Sequence, residues 1–433
     1  MNSNPSKNPF IAIACGGTGG HLFPGIAVAE QLQQHGCDVA LLISPKDVDQ
    51  QAIKALERRS PARRDGAETS GIQHPTSNIQ CARAETGAPF WIFTLPAVGL
   101  QNRNYFSFAA SFVKSLFAAR KIFRRRKPAA VVAMGGFTSA PPIFVGKDLG
   151  AKTFLHESNT IPGKANRYLA RFVDEAFVGF PETASRLRAK KVTLTGTPVR
   201  PQFFASRITH RASRSALGLD PDRPVILVVG GSQGASGLNA MVLSALPLLA
   251  RKNWQWLHLT GANDFEKVKT AYATQGLAAI VKPFFADMDL ALGAATAAVS
   301  RAGASSLAEI AAVRLPALLV PFPAAADNHQ FFNAQAYAGS GAARLLEQKD
   351  STPEKVAAIL TELAGDDSAR SKIAAALDRW HAPKCAEEIA GHILRLSAVA
   401  QASRLCGPEQ QPAFMETHGR DACATTGNSH DHA

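Results

Sequence analysis

Short runs of apolar and β-branched residues alternate along the chain with longer segments in which apolar residues recur at helical spacing, such as 26–35 and 105–126. This alternation predicts parallel β-sheets that are covered by helices on both faces. The predicted strands of the first half are residues 10–15, 39–43, 91–95, 130–134, 152–155, 175–178 and 191–195. Those of the second half are residues 225–229, 255–260, 279–282, 297–300, 317–320 and 342–346.

A chain of 433 residues is too long for one ordinary hydrophobic core, and its strand pattern restarts in the second half. We therefore predict an α/β protein with two doubly wound, Rossmann-like domains, residues 1–200 and 225–400, joined by a linker region at 201–224. The last helix can pack back on the first domain, and the polar segment 401–433 is expected to be disordered. Open parallel sheets bind ligands beyond the carboxyl ends of their strands, so the cleft between the domains is the expected site.

Two long uncharged stretches, 128–146 and 224–250, are each interrupted by a glycine turn, "GGFTSAPP" and "GGSQGASG". Both predict a buried strand, a turn and a buried helix rather than a membrane span. Residues 57–89 are rich in Arg, Ser, Thr, Gly and Pro and predict an exposed loop. The apolar run before the first glycines is too short for a signal peptide, and six scattered cysteines show no C-x-x-C pair. We therefore expect a cytoplasmic protein without a disulfide framework or zinc site.

The formal net charge is +13, and part of it is concentrated between residues 101 and 130. Eight basic residues and no acidic residue occur there, interleaved with phenylalanines at mostly helical spacing. This mixture predicts that residues 103–127 contact an anionic membrane surface, with apolar side chains entering the headgroup region. The alternative is that the aromatic residues face the protein core. No nucleic-acid recognition motif accompanies the charge, so nucleic acid is not an expected partner.

The stretch "CGGTGGHLFPG" follows the first predicted strand and precedes a helix that Pro24 could open. Backbone N–H groups in such a turn can approach an anion, which a helix N-terminus also favours. The spacing is not G-x-G-x-x-G, since Leu22 stands where the third glycine belongs. The loop alone therefore leaves phosphate binding and tight packing equally open. His21 is its titratable residue and a candidate general base; the alternative is a structural histidine bonded to the backbone.

Two further glycine turns follow predicted strands in the second half of the chain. One contains Ser232, in "ILVVGGSQGASG", and the other, "VSRAGASSLAE", places Ala304, Ser305 and Ser306 at a helix start. Glu309 lies about one turn further, where a carboxylate could bind the two hydroxyls of a ribose. The alternative for Glu309 is a solvated helix face or a capping interaction. Two such turns in one domain favour a nucleoside diphosphate as ligand.

Seven motifs occur in the order "GGTGGHLFPGIAVA", "MGGFTSAPP", "HESN", "GTPVR", "VVGGSQGA", "SRAGASSLAEIA" and "DNHQFFNA". In this order the chain resembles, over roughly residues 10 to 395, the MurG family of UDP-N-acetylglucosamine–N-acetylmuramyl-(pentapeptide) pyrophosphoryl-undecaprenol N-acetylglucosamine transferases. The resemblance implies a GT-B fold, in which the two sheets face a central cleft. It also implies inverting transfer of GlcNAc from UDP-GlcNAc to the C4 hydroxyl of undecaprenyl-pyrophosphoryl-MurNAc-pentapeptide (lipid I), which gives lipid II for peptidoglycan. Such an enzyme is peripheral on the cytoplasmic face of the cell membrane.

The resemblance also implies ligand-binding roles for the residues that match the family's motifs. The first glycine loop would face the acceptor and the transferred sugar with Thr18, Gly19, Gly20 and His21. Phosphate and ribose would be held by Ala304, Ser305, Ser306, Leu307, Ala308 and Glu309. The other positions would be Asn159 and Arg200 near the cleft, Ser232 at the diphosphate, Phe285 beside the uracil and Gln330 at the sugar hydroxyls.

The chain departs from the family at "HESN", where "HEQN" is common, at the long segment 57–89 and in its extra tail. Asp287-x-Asp289 matches a pattern by which other glycosyltransferases hold a metal, but it precedes a helical run in which Asp287 is expected to be the N-cap. We therefore expect an enzyme that needs no metal and no cofactor. Alternatives from other classes are a UDP-sugar epimerase of the same fold and a non-catalytic lipid-binding scaffold.

Overall fold

The computed structural model describes residues 8–17, 19–46, 49, 90–97, 105–204, 209–231 and 235–405 of the chain. The exposed loop predicted at 57–89 and residues 406–433 of the predicted tail lie outside the described residues.

Seven parallel strands form the sheet of the first domain. They are β1 (Phe10–Ala14), β2 (Asp38–Ile43), β3 (Trp91–Thr94), β4 (Ala130–Ala133), β5 (Lys152–Glu157), β6 (Glu175–Val178) and β7 (Val192–Leu194). Their spatial order is β3-β2-β1-β4-β5-β6-β7, so the winding direction reverses between β1 and β4. The described helices here are α1 (Gly19–Gln34), α2 (Tyr105–Arg125), α3 (Ala140–Asp148), α4 (Lys164–Leu169) and α5 (Pro181–Ala184).

Six parallel strands form the sheet of the second domain. They are β8 (Val225–Val229), β9 (Gln255–Leu259), β10 (Ala279–Lys282), β11 (Ala297–Ser300), β12 (Ala317–Leu319) and β13 (Arg344–Leu345), in the order β10-β9-β8-β11-β12-β13. The helices that follow the linker are α6 (His210–Ala216), α7 (Ser236–Leu249), α8 (Phe265–Thr274), α9 (Met288–Ala294), α10 (Ala304–Ala312), α11 (His329–Gly339), α12 (Pro353–Gly365), α13 (Asp367–Asp378) and α14 (Cys385–Leu405). Short 3₁₀ helices lie at Pro201–Phe203, Ala326–Asn328 and Gln348–Asp350.

Both faces of the first sheet are buried, which explains the uninterrupted apolar sequence of its central strands. Successive side chains of a strand point to opposite faces. Accordingly, Ile11 and Ile13 of β1 pack in one hydrophobic cluster with Ile26 of α1, whereas Ala12 packs in the opposite cluster with Phe123 of α2. The apolar runs are therefore strands of a doubly wound sheet, as the sequence pattern predicts.

The last helix, α14, crosses back to the first domain and completes its core. Ile389 and Ile393 are fully buried there, in the same cluster as Ile26 of α1. The His392 ring also contacts the Phe177 ring edge-on, at a centroid distance of 5.7 Å. Helix α14 continues to Leu405, so the prediction of disorder from residue 401 onward is wrong for its first five residues.

All thirteen predicted strands are present, each end within two residues of its predicted position. The two-domain, doubly wound α/β architecture is confirmed. Residues 128–146 and 224–250 are confirmed as strand–turn–helix units, since β4 precedes α3 and β8 precedes α7. Over the described ranges, no helix is long and apolar enough to cross a membrane.

The prediction that Pro24 opens the first helix is wrong, because α1 begins at Gly19 and contains Pro24 in its interior. Glycine has low helix propensity and proline removes a helical hydrogen bond, so the local sequence favours a start beyond both glycines. Tertiary packing overrides this preference. Leu22, the fourth residue of α1, is fully buried in the hydrophobic cluster between the helix and the sheet. The helix start therefore lies inside the glycine loop.

In helix α2, some aromatic and apolar side chains face the core and others are exposed. Its C-terminal half packs Ile122 and Phe123 into the core of the first domain. Its outer face instead exposes Phe106 (91%) and Phe117 (71%) to solvent. Exposed basic residues flank them: Lys114, Lys121, Arg124, Arg125 and Lys127. A cationic surface carrying bare aromatic rings remains on this helix.

Candidate active site

A cavity of about 1010 Å³ lies between the two domains, at the carboxyl ends of both sheets. Open parallel sheets bind their ligands at this position. Most of the predicted site residues line the cavity: Gly19, Gly20, His21, Asn159, Arg200, Phe285, Ala304, Ser305, Ser306, Glu309 and Gln330. Thr18 and Ser232 lie outside the described residues, so their roles stay predictions.

Helix α10 directs its N-terminus at the cavity from the second domain. Its N-cap is Gly303, which has no side chain to cover the first N–H groups. A Cβ built on Gly303 would have no heavy atom of the described residues within 4 Å beyond its immediate surroundings, so the space before the helix is open. The amides of residues 304–306 precede the first helical hydrogen bond. With the positive end of the helix dipole they form an anion-binding position.

Leu307 and Ala308 do not line the cavity, unlike the other four residues of the run from 304 to 309. Leu307 lies on the face of α10 that points toward the core of the second domain, and its side chain is fully buried there. The Leu307 N–H already donates to the Gly303 carbonyl, at 3.0 Å. Only the first three amides of α10 are therefore available to a phosphate.

Glu309 lies one turn further along α10, with its carboxyl group on the cavity wall. Burial raises the pKa of Glu309 to about 7; the Arg200 guanidinium opposes this shift and Asp289 adds to it. Arg200 is in turn held over two rings, at 4.4 Å from the Phe23 centroid and 5.1 Å from that of Phe203. Glu309 is therefore not on a solvated helix face, and it lies too far along α10 to cap its N-terminus. It is a carboxyl group that ionises near neutral pH inside the cleft.

His21 faces the same cavity from the first domain, where it lies in the first turn of α1. Its ring packs on Gly135 and Gly136, whose φ angles are +106° and +80°. A Cβ on Gly135 would lie 2.7 Å from Cε1 and 2.8 Å from Nδ1 of His21, so this turn admits no side chain. Burial lowers the pKa of His21, and the negative charge of Glu157 opposes that shift. The imidazole is therefore neutral at neutral pH, as a general base must be.

The motif "HESN" places a buried carboxylate at the carboxyl end of β5. Glu157 Oε1 accepts hydrogen bonds from the backbone N–H and from Nδ2 of Asn159, both at 2.9 Å. Its Oε2 accepts from Asn166 Nδ2 at 2.8 Å and from the Gly163 N–H at 2.9 Å. These contacts fix Asn159 on the cavity wall. Glu157 is absent from the predicted site residues, although a buried acid at the carboxyl end of a strand is a usable sequence signal.

Gln330 follows a turn in which Asp327 and Asn328 adopt left-handed φ angles of +50° and +53°. Asp and Asn tolerate this conformation better than most residues do. The Gln330 Oε1 atom accepts a hydrogen bond from the Phe322 N–H at 3.0 Å. Because this oxygen is engaged by the backbone, the amide nitrogen is the end that Gln330 offers to a ligand.

The segment after β10 forms the outer wall of the cavity. Phe285 contributes its ring, and Lys282 Nζ lies 4.8 Å from the ring centroid. Asp287 occupies the N-cap position of α9, as expected, but its side chain accepts no capping hydrogen bond from the helix. Within the part of the chain that the structure describes, no group of three or more His, Cys, Asp or Glu residues is arranged to hold a metal ion.

Two facing parallel-sheet domains, with an open helix start on one side of the cleft and a buried imidazole on the other, define the GT-B class of nucleotide-sugar enzymes. Sequence comparison agrees: residues 11–178 match the glycosyltransferase family 28 N-terminal domain, and residues 225–389 match its C-terminal domain.

Individual relatives define the family more closely. A UDP-N-acetylglucosamine–N-acetylmuramyl-(pentapeptide) pyrophosphoryl-undecaprenol N-acetylglucosamine transferase from Anaeromyxobacter sp. (strain Fw109-5) is 35% identical, over 88% of this chain and 91% of that protein. The crystal structure of MurG from Acinetobacter baumannii superposes with a TM-score of 0.63 at 26% identity, covering 90% of this chain and 99% of that chain. The chain belongs to this family of N-acetylglucosamine transferases.

A UDP-N-acetylglucosamine 2-epimerase structure has a similar TM-score of 0.61, covering 95% of this chain and 100% of that chain. Its sequence identity is only 12%, so that likeness shows the fold alone.

Replacing Gly135 with alanine is expected to lower the transfer rate by about a hundredfold, because the new methyl group must displace the His21 ring. Gly36→Ala is the matched control, since Gly36 also has a left-handed φ, +78°, with no contact for a Cβ within 4 Å. Both variants carry the backbone strain of alanine at positive φ, about 1–2 kcal/mol. Steady-state rates and melting temperatures of the two proteins make the test. Equal activity in both variants would contradict the packing role of Gly135.

Proposed function

We propose that this protein transfers N-acetylglucosamine from UDP-N-acetylglucosamine to the C4 hydroxyl of the muramyl unit of undecaprenyl-pyrophosphoryl-MurNAc-pentapeptide, giving lipid II for peptidoglycan synthesis. The observation that carries the proposal is the single cavity that joins the open start of α10 in one domain to the His21 imidazole in the other. Relatives named for this reaction align with 88% of the chain at 35% identity.

The donor is proposed to bind mainly to the second domain. The Glu309 carboxylate accepts hydrogen bonds from the two ribose hydroxyls, and Phe285 lies beside the uracil. The amides of residues 304–306 bind the diphosphate. As the bond to the sugar breaks, negative charge develops on the leaving UDP, and these fixed dipoles stabilise it without rearrangement.

The transferred sugar is proposed to lie between the domains, with Gln330 and Asn159 at its hydroxyl groups. The acceptor C4 hydroxyl attacks C1 of the sugar from the face opposite UDP, so the product is β-linked with inverted configuration. The hydroxyl loses its proton to His21 as the new C–O bond forms and the C1–O bond to UDP breaks. The neutral His21 imidazole is suited to this step because burial keeps its pKa low.

An assay of UDP release from UDP-N-acetylglucosamine, with and without a lipid-linked muramyl-pentapeptide, tests the proposed function. Release that requires the acceptor is the expected result, and it should persist in EDTA. Formation of an isomeric UDP-sugar without acceptor would support the epimerase alternative. Lipid binding without any UDP release would support a scaffold.

Replacing His21 with alanine is expected to lower kcat by roughly 10²–10⁴-fold, because the acceptor hydroxyl then lacks a positioned base. The KM for UDP-N-acetylglucosamine should change little, since the donor binds chiefly to the second domain. His35→Ala is the control, because His35 is exposed near the far end of α1. A loss of only a few-fold in His21→Ala would remove His21 from the role of base.

UDP affinity is expected to weaken as the pH falls through about 7, where Glu309 becomes protonated and loses its negative charge and one of its acceptor oxygens. The Glu309 contribution should reach up to about tenfold per pH unit below that pKa. Glu309→Gln has no such ionisation, so it should bind UDP weakly at all pH values. Calorimetric titrations of both proteins with UDP separate this effect from the titration of the phosphate itself. Identical pH dependence in the two proteins would contradict the assignment.

The exposed face of α2 is proposed to rest on the cytoplasmic face of the cell membrane, where the lipid-linked acceptor is held. Phe106 and Phe117 are eleven residues apart, close to three helical turns, so both rings project from the same side. Basic residues on the same helix can contact anionic headgroups while the rings enter the interface. Phe108 and Phe112 of α2 line the catalytic cavity, so the membrane-facing helix also borders the site.

The double variant Phe106→Ser/Phe117→Ser is expected to bind vesicles containing anionic lipid at least about a hundredfold more weakly, because each buried phenylalanine contributes roughly 1.5–3 kcal/mol. Leu248→Ser is the control, since Leu248 is 51% exposed on α7 of the other domain. Co-sedimentation with vesicles at low and high salt measures both the apolar and the electrostatic part. Unchanged binding of the double variant would contradict this orientation.

A further inference from the structure

We propose that Asn333 of α11 is a positioning residue, which sets the Asn159 side chain and the start of helix α10 in fixed relation across the domain boundary. The inference rests on the proposed function, and Asn333 acts through Asn159 and α10 rather than on the substrate.

Asn333 is fully buried, and all four hydrogen-bonding positions of its carboxamide are used. Its Nδ2 donates to Asn159 Oδ1 at 3.0 Å and to the Ala302 carbonyl at 3.1 Å. Its Oδ1 accepts from the Thr160 backbone N–H and from Thr160 Oγ1, both at 2.9 Å. Three of these bonds reach the first domain and one reaches the second. A single amide therefore bridges the two domains.

The chemistry of the neighbouring groups permits only one arrangement of this bridge. The Glu157 carboxylate can only accept, so Asn159 must turn its Nδ2 toward it and its Oδ1 toward Asn333. The Thr160 backbone N–H can only donate, so Asn333 must turn its Oδ1 toward Thr160. The two amides then meet with Asn333 donating and Asn159 accepting. The orientation of Asn159 is thus set by groups on both sides of the domain boundary.

The bridge joins two elements that line the cavity from different domains. Ala302 immediately precedes Gly303, the N-cap of the phosphate-binding helix α10. Asn159 belongs to the first domain, and beyond its contacts with Glu157 and Asn333 its amide has a second N–H and a second lone pair for a sugar hydroxyl. Loss of the bridge should therefore impair placement of the sugar between the domains. Uridine binding, for which the proposed contacts are Glu309 and Phe285 of the second domain, should be spared.

A nearby contact between the domains offers a control. Arg167 of α4 forms an ion pair with Asp327 at 2.6 Å, and the two side chains are 44% and 38% exposed. Exposed ion pairs contribute little to stability. Arg167→Ala thus removes a bond across the same boundary without touching the buried amides.

A double-mutant cycle between Asn333 and Asn159 tests the proposal. Asn333→Asp keeps the shape and the Thr160 contacts, but it places an acceptor against the oxygens of Asn159 and Ala302. It should lower kcat/KM for UDP-N-acetylglucosamine by about 10–100-fold, while the Kd for uridine, which lacks the diphosphate, stays within about threefold. In an Asn159→Ala background the same substitution should cost at least about fivefold less. Arg167→Ala should stay within about twofold of wild type.

Equal costs of Asn333→Asp in the two backgrounds would overturn the proposal, as would a parallel loss of uridine affinity. If Asn333→Asp does not fold, Thr160→Val enters the same cycle, since it removes only the hydroxyl bond to Asn333 Oδ1. It should lower kcat/KM several-fold, and additivity with Asn159→Ala would again overturn the proposal. Failure of the proposed function is distinguishable, because it appears in the wild-type protein as absence of acceptor-dependent UDP release.

Discussion

The structure depends on one constraint: a parallel sheet must be covered by helices on both faces, so its connections run from the carboxyl end of one strand to the amino end of another. The loops that follow the strands of one sheet therefore all lie at the same end of that sheet, the carboxyl end. In this protein the carboxyl ends of both sheets face a common cavity. The glycine turns that follow the strands therefore lie around the same cavity, whereas in an antiparallel fold such turns would lie at both ends of the sheet. Helix starts, a buried carboxyl group and an imidazole meet at this cavity although they are distant in sequence.

Burial shifts the pKa values of two titratable side chains of the cavity, Glu309 and His21, in opposite directions. It raises the pKa of Glu309 and lowers that of His21, in each case against the charged form. Before ligands bind, His21 is therefore neutral and Glu309 is only partly ionised at neutral pH. Negative charge arrives with the nucleotide diphosphate and is met by oriented amides, which are dipoles already fixed by the helix. A preorganised site of this kind needs little rearrangement during reaction.

The two domains are connected by shared hydrophobic packing and by hydrogen bonds. Helix α14 comes from the end of the chain but completes the core beneath β1 and α1. On the cleft side, the buried amide of Asn333 is bonded to residues 159 and 160 of the first domain. A buried amide with every position satisfied is specific in geometry, because any displacement leaves polar groups without partners. Such a bond can transmit the position of one domain to the binding groups of the other.

The sequence by itself determined the strands, the two-domain organisation and most of the residues that reach the cavity. These features depend on local signals, since a strand buried on both faces must be apolar and a turn after it must tolerate unusual backbone angles. Only the tertiary structure decided that α1 begins at Gly19, that Leu307 turns into the core, and that Glu157 and Asn333 hold Asn159. Local helix propensity opposes a helix start at Gly19. The direction of the Leu307 side chain depends on the residue at which α10 begins, which packing decides. The contact between Asn333 and Asn159 joins residues 174 positions apart, and no local pattern reports a hydrogen bond that forms only when two domains meet.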